Sequence, residues 1–319
     1  MDPLAFVQDL EQGPSRFADL LAECERGNPW EQAVTTPPRR IVLIGMGSSH
    51  FANSVLALRL QAAGVAATAA IASADPLPAV GVDDLVIAVS ASGGSAETVA
   101  AAEHYAGRCR TIAVTNTEDS RVEELCDAHV SLRAGEEVGG VACRSFTHTL
   151  ALHLMLLDLL TGSSVAAPAL RGAIEATTDL LARRDAWLDN VAHHLLGPDG
   201  TTFVAPVRRL SSAQQSALML REGPRLPAIA CETGDWSHID VYLTKTTDYR
   251  MLLLPGSAWE SQLWEWVRQR GTTVVVAGAE VPDAAMCLRY AQDDVDDVRL
   301  LAEPLIASLV AARAWAAQG

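Results

Sequence analysis

The chain has 319 residues, 49% of them hydrophobic and 20% charged, enough for about two domains with ordinary cores and too apolar for general disorder. Its 39 acidic residues outweigh 24 basic ones, and the net charge of −15 argues against nucleic acid or an anionic membrane surface, which clustered Lys and Arg would meet. A small anionic substrate stays open, because local backbone and hydroxyl donors can outweigh a global field.

Leu4, Phe6, Val7, Leu10, Phe17, Leu20 and Leu21 recur at helical intervals, interrupted at Gly13-Pro14, so residues 1–34 read as an N-terminal helical segment. Strands follow at Ile41–Ile44, Leu85–Val89, Thr111–Val114 and His129–Leu132. They alternate with helices over Phe51–Ala62, from Ser95 through Ala101, over Asp119–Cys126 and over Phe146–Leu160. Continuous apolar strands between amphipathic helices imply a parallel sheet covered on both faces, a first domain over 35–165. A helical connector spans 166–197. A second α/β cycle over 198–319 has strands at Thr202–Val204, Met251–Leu254, Thr272–Val276 and about Arg289–Ala291, with helices at Ser211–Glu222 and Val298–Trp315. Trp259, Trp264 and Trp266 fall on one further helix, suited to packing or to a subunit interface.

The six cysteines (Cys24, Cys109, Cys126, Cys143, Cys231, Cys287) lack CxxC spacing and read as free thiols. The histidines have no metal-ligand company, so no metal and no cofactor is expected. The amino terminus has no signal core and no run of about 18 apolar residues occurs, so a soluble cytoplasmic protein is expected. Lys245 is the only lysine.

Two turns carry the chemistry. Gly45-Met46-Gly47-Ser48-Ser49-His50 joins a strand to a helix like the opening of a dinucleotide fingerprint, but His50 replaces the third glycine and no acidic residue closes the following strand. A turn that needs glycine for positive φ would account for it alone equally well. Ser90-Ala91-Ser92-Gly93-Gly94-Ser95, again between strand and helix, shifts the balance. Hydroxyls and free N–H groups converge on two helix starts at the carboxyl ends of parallel strands, where one phosphate monoester could be held.

Gly47-Ser48-Ser49, Ser90–Ser95 and Gly135-Glu136-Glu137-Val138-Gly139 followed by Phe146-Thr147 resemble, in this order, the sugar isomerase (SIS) domain family. The likeness runs over about residues 40–310 and is drawn to the isomerase half of glucosamine-6-phosphate synthase. It implies two tandem SIS domains, each a flavodoxin-like three-layer αβα sandwich on a parallel sheet. It also implies that Gly47, Ser48, Ser49, Ser90, Ser92 and Ser95 hold the phosphate of a sugar phosphate, with Ala91, Glu137 and Gly140 at the sugar.

In the second half, Ala217–Glu222 and Gly234-Asp235-Trp236-Ser237-His238 resemble the family segments that carry a proton-moving Glu and a ring-opening His, here Glu222 and His238. A carboxylate at a helix end, where the dipole disfavours its charge, is suited to take a proton alpha to a carbonyl and return it one carbon away. An imidazole titrating near neutrality can shuttle protons at the ring oxygen. Taken singly, Glu222 reads better as a helix-end acid paired with Arg221 or Arg225 and His238 as a surface-loop histidine; their spacing and the two serine turns together favour the catalytic pair.

The departures are as informative. The synthase's Schiff-base lysine near the carboxyl end has no counterpart in Ala312–Gly319, and arginine cannot replace it. The first turn is not repeated either: Ala205-Pro206-Val207-Arg208-Arg209 stands in its place, so only the first domain is expected to bind phosphate. Glutamine-dependent synthesis is excluded on this reading. What remains is aldose–ketose isomerisation of a phosphorylated sugar or amino sugar, with or without deamination or deglycation, in a homodimer with a shared active site. The alternatives are a non-catalytic sugar-phosphate-binding regulator and an isomerase of another anionic sugar.

Overall fold

The computed structural model of the protein describes residues 1–318. The elements run α1 (Pro3–Glu11), α2 (Gly13–Arg26), β1 (Arg40–Gly45), α3 (Gly47–Ala62), β2 (Ala67–Ile71), β3 (Asp84–Val89), α4 (Ala96–Tyr105), β4 (Arg110–Thr115), α5 (Arg121–Leu125), β5 (Ala128–Ser131) and α6 (Arg144–Thr161). They continue with α7 (Ala166–Ala182), α8 (Arg184–Leu195), β6 (Thr201–Ala205), α9 (Leu210–Glu222), β7 (Ala228–Glu232), α10 (Thr233–Trp236), β8 (Arg250–Leu253), α11 (Glu260–Arg270), β9 (Thr273–Ala277), β10 (Met286–Leu288) and α12 (Asp296–Ala316).

Two compact units result. The first comprises Ser15–Glu137 and Ala142–Leu170; the second comprises Met1–Pro14, Val138–Val141 and the chain from Arg171 onward. Each is built on one five-stranded, all-parallel sheet.

In the first unit the strand order is β2-β1-β3-β4-β5, the flavodoxin-like winding. β1 and β3 pair from Arg40 with Asp84 to Gly45 with Val89. Both are central and buried on both faces, hence their unbroken apolar runs. Val42, Ile44, Val86 and Ala88 on one face pack against Ala101 and Tyr105 of α4 and Val122 of α5, while α3 packs on α6.

The second unit repeats that winding: β10-β9-β8-β6-β7 is the same order read from the other edge. Trp236, Tyr249, Met251, Leu253, Leu263, Trp264 and Val276 share its core, and Trp236 Nε1 donates to Tyr249 Oη at 2.9 Å. Asp2 caps α1, accepting from Leu4 N–H at 2.8 Å, and the Phe6 ring meets Trp315 of α12 at 6.3 Å.

Three expectations change. The last strand is Met286–Leu288, and Arg289–Ala291 lies beyond it. α3 begins at Gly47, so the first serine turn is itself the first turn of the helix. Of the three tryptophans, Trp264 is core and Trp266 packs against it, whereas Trp259 precedes α11 and is 61% exposed.

Candidate functional site

In an order of 2-1-3-4-5 the chain leaves its first and third strands toward opposite edges, which opens a crevice at their carboxyl ends where α/β sheets receive ligands. In the first unit the two segments at that crevice are the serine turns, one after β1 and one after β3.

The first turn is shaped by glycine. Gly47 has φ +47. A side chain at Gly45 would run into Ser49 Cβ at 2.8 Å, Val89 O at 3.0 Å and Asn53 Nδ2 at 3.2 Å, so only glycine lets α3 start so close to the end of β3. Ser49 and His50 N–H both turn back to Met46 O, and Ser49 Oγ makes no hydrogen bond among the described residues. His50 is half-buried; burial pushes its imidazole below the ordinary value, against a hydrogen bond with the backbone of Ala70.

The second turn is pinned from beneath. Ser90 N–H donates to Val114 O, Gly93 N–H to Ser90 O, and Asn116 N–H to Ala91 O, each at 3.0 Å. Gly93, at φ +62, lies so tightly on Ser120 that an added Cβ would sit 2.2 Å from its hydroxyl oxygen. Ser90 Oγ has no partner among the described residues. Ser92 Oγ accepts only a 3.3 Å contact from Gly94 N–H, and Ser95 donates its hydroxyl to Thr98 Oγ1 at 2.7 Å. A cavity of about 740 Å³ lies over the segments that follow β4 and β5, lined by Thr115, Asn116, Thr117, Glu118 and Glu136 among others and by no residue of either serine turn.

Ala91 is half-buried within the second turn. Glu137 Oε1 accepts the N–H groups of Cys143 and Arg144, both at 2.6 Å, and of Ser145 at 3.3 Å, so this carboxylate holds the start of α6. Gly140, exposed at φ +74, lies against Met1 in the second unit.

The matching crevice of the second unit is filled from within. After β6, Arg209 is fully buried: Nε donates to Asp296 Oδ1 at 2.9 Å, and the remaining nitrogens bond Glu303 and Pro255 O. Arg208 donates to Asp296 and to Gly256 O, both at 2.9 Å. Burial pushes the Glu303 carboxyl up to about 7 against the pull of Arg209 and Arg299. After β8, Glu260 accepts the N–H groups of Gly256 and of Ser257, the latter at 2.7 Å.

Glu222 ends α9, half-buried, and its side chain makes no hydrogen bond or ion pair among the described residues, so neither Arg221 nor Arg225 claims it. Its pKa is raised as expected, but the leading cause is burial, with Arg221 opposing. Trp315 packs over the next residue: a Cβ on Gly223 would lie 3.0 Å from its Cε3. His238 is exposed and follows α10, which Glu232 caps by accepting Gly234 N–H at 2.6 Å. The chain enters β7 from the side of Glu222 and leaves it toward His238, so the structure sets these two residues at opposite ends of that strand.

Sequence reasoning missed Asn53 and Ser120, both buried with hydroxyl or amide atoms that lack partners, beneath the first and second turn respectively. No spacing rule reaches them; only the glycine contacts reveal them. Among the described residues no group of His, Cys, Asp or Glu is arranged to hold a metal ion, and no helix is long and apolar enough to cross a membrane.

Residues 36–161 match the family model of the SIS domain. A glutamine–fructose-6-phosphate aminotransferase (isomerizing) from Sulfurisphaera tokodaii is 24% identical over 207 residues, covering 65% of this chain and 35% of that protein. The chain therefore spans about two fifths or less of the curated relatives it matches, 35% in that case and 41% for the Aeropyrum pernix protein of the same name. Among solved structures, the C-terminal domain of glucosamine-fructose-6-phosphate aminotransferase from Francisella tularensis superimposes with a TM-score of 0.83 at 16% identity, covering 98% of this chain and 96% of that one. Tagatose-6-phosphate ketose/aldose isomerase from Escherichia coli gives 0.83 at 16% identity, covering 99% and 94%. These matches establish a SIS domain at residues 36–161 and, over nearly the whole chain, the fold of those two structures.

Proposed function

We propose that this protein binds a phosphorylated sugar or amino sugar through Gly47, Ser48, Ser49, Ser90, Ser92 and Ser95. We further propose that it catalyses aldose–ketose isomerisation, with or without release of an amine, using Glu222 and His238. The observation that carries the reading is the pair of serine turns at the switch point of the first sheet, with the hydroxyls of Ser49 and Ser90 free of internal partners. The isomerising activity named for the matched relatives supports the same class of chemistry.

The phosphate takes no part in the reaction, so its binding energy serves to hold the reacting carbons in place. In the proposed step the Glu222 carboxylate takes the C2 proton of the open-chain aldose, the carbonyl oxygen gains a proton, and an enediol forms. Return of the carbon-bound proton to C1, with loss of the proton on O2, gives the ketose. A carboxyl raised by burial is a stronger base for this than a solvated one. His238 passes protons at the ring oxygen and hydroxyls. The identical winding of the second unit supports reading it as a second SIS domain. The separation of Glu222 and His238 along β7 supports a homodimer in which the histidine comes from a second copy.

A thermal-shift panel of sugar phosphates and amino-sugar phosphates tests the ligand: a selective hit raises the midpoint. With that hit, Glu222→Gln is expected to retain binding and lose turnover and solvent-proton exchange. Binding without turnover by the wild type would instead mark a regulator. Mixing inactive Glu222→Gln and His238→Ala proteins tests sharing, since random pairing restores about a quarter of the wild-type activity if the two residues serve one site across a dimer.

A further inference from the structure

Asn53 is completely buried on α3, and neither Nδ2 nor Oδ1 has a hydrogen-bond partner among the described residues. A buried primary amide with all its capacity unused is costly to the fold, and a leucine of nearly the same shape would carry no such cost. Its position is specific. Asn53 Nδ2, Ser49 Cβ and the carbonyl oxygen of Val89 surround one point, the space that glycine leaves empty at position 45, and Ser49 is one helical turn before Asn53 on the same face. The unpartnered amide thus sits behind a serine whose own hydroxyl is unpartnered, at the end of β1 and beside the end of β3.

We propose that Asn53 is a positioning residue of the anion site: its amide donates to Ser49 Oγ when a phosphate group is bound, so that the one hydroxyl hydrogen of Ser49 is directed at the ligand. The inference rests on the serine turns being the phosphate site. A hydroxyl has two lone pairs and a single hydrogen. Left alone it can turn that hydrogen toward Val89 O or another backbone acceptor. An N–H donor behind it occupies a lone pair, orients the hydrogen outward and polarises the O–H toward an anion, which strengthens the bond it makes. On this proposal the serines of the turns contact the ligand directly, and Asn53 acts only through Ser49.

Inorganic phosphate is the probe, its dissociation constant measured by calorimetry on the full chain with midpoints recorded for each variant. Asn53→Ala is expected to weaken phosphate binding about tenfold in the wild-type background and less than about twofold in a Ser49→Ala background. Asn53→Leu is expected to bind as weakly as Asn53→Ala while raising the thermal midpoint by a few degrees, the opposite of what a merely structural residue would do. Equal losses in both backgrounds, undiminished binding by Asn53→Ala, or a lowered midpoint with retained affinity in Asn53→Leu would each overturn the role. Should Asn53→Leu not fold, the alanine cycle alone decides. If Ser49→Ala and Ser92→Ala bind phosphate like the wild type, or the wild type binds none, the phosphate site itself is wrong. If those variants weaken binding and Asn53→Ala does not, only the inference about Asn53 fails.

Discussion

After β1 and β3 the chain places glycine and serine; after β6 and β8, at the same two stations of the same winding, it places Pro206-Val207-Arg208-Arg209 and Pro255-Gly256-Ser257 with Glu260. The first crevice keeps the hydroxyls of Ser49 and Ser90 without partners among the described residues. The second closes its donors on acids of its own chain: Arg209 on Asp296 and Glu303, and the N–H groups of Gly256 and Ser257 on Glu260. A tethered carboxylate needs no free ligand and loses no translational entropy, so it outcompetes one. One winding can therefore serve as a receptor or as a buried lock, and which it is depends on a few side chains at the turns rather than on the fold.

The comparison breaks most visibly at the lock. Arg209→Met should cost about 3–5 kcal/mol of stability, because Glu303 and Asp296 lose their shared buried cation and Pro255 O loses its donor. Urea unfolding measures it, and phosphate affinity should stay at the wild-type value. Loss of phosphate binding in a folded Arg209→Met protein would mean that this crevice takes part in ligand binding after all.

The two units should also answer acid with opposite signs. In the first, burial lowers His148 to about 4 and His153 to about 3; His148 stacks on Phe17 at 5.5 Å and gives its Nδ1 to Leu132 O. As pH falls below the ordinary 6.5 the unfolded chain takes up protons that the folded chain refuses, so stability drops from about 6.5 toward 4 and 3. The loss is on the order of 3 kcal/mol per histidine. In the second unit Glu303 holds its proton up to about 7 against an ordinary 4.5, so its contribution to stability falls as pH rises between those values. Unfolding free energies from pH 4 to 8 should lose about half of the acid-side drop with His153→Leu, the His148 part remaining, and lose the opposing slope with Glu303→Gln. Unchanged profiles would show that these groups are hydrated or paired in ways their burial does not suggest.

What the sequence disclosed follows the same division. The central strands were legible because burial on both faces forces unbroken apolar runs such as Ile41-Val42-Leu43-Ile44 and Leu85–Val89. β2 and β7 went unread. Each is the edge strand beside its sheet's first strand, and Ala67–Ile71 and Ala228–Glu232 are mostly open and rich in alanine, so neither shows an unbroken apolar run or a clean alternation. The serine turns were legible because Gly and Ser cluster locally, and the plugged second crevice was visible as arginine where serine was wanted. Asn53 and Ser120 were not, because what singles them out is a contact with a glycine eight or 27 residues away in sequence and a missing partner, neither of which leaves a local pattern. The raised pKa of Glu222 was expected from a helix dipole and arises chiefly from burial, a property of tertiary packing.

Smaller effects belong to the open crevice. Ser49→Ala and Ser92→Ala should each weaken phosphate binding by about tenfold, the worth of one hydrogen bond to a charged group, while shifting stability by under about 0.5 kcal/mol. Calorimetry beside urea unfolding separates the two quantities. Ser95, whose hydroxyl already donates to Thr98, is expected to serve the phosphate by its backbone N–H, so Ser95→Ala should bring a modest loss of stability and little loss of affinity. Equal affinity losses at all three positions would show that Ser95 turns its hydroxyl to the ligand when one binds.

The smallest effect is the sharpest test of the lock. Glu260→Ala removes the acceptor for Gly256 and Ser257 N–H and should cost about 1 kcal/mol, as loss of a helix-start cap does. It would also leave two backbone donors facing a cationic rim, since Arg208, Arg209 and Arg299 nitrogens lie 2.9, 3.1 and 3.6 Å from where a Cβ of Gly256 would be. Those donors follow β8, the station in the second winding that the Ser90–Ser95 turn holds in the first. Placed in a Ser49→Ala, Ser92→Ala background to silence the first crevice, Glu260→Ala should regain part of its lost stability in millimolar phosphate, and Glu260→Gln, which keeps the acceptor oxygen, should not. A Glu260→Ala midpoint indifferent to phosphate would assign the closure of the second crevice to the arginine–carboxylate network alone, and the tethered acid of α11 would be a helix cap and nothing more.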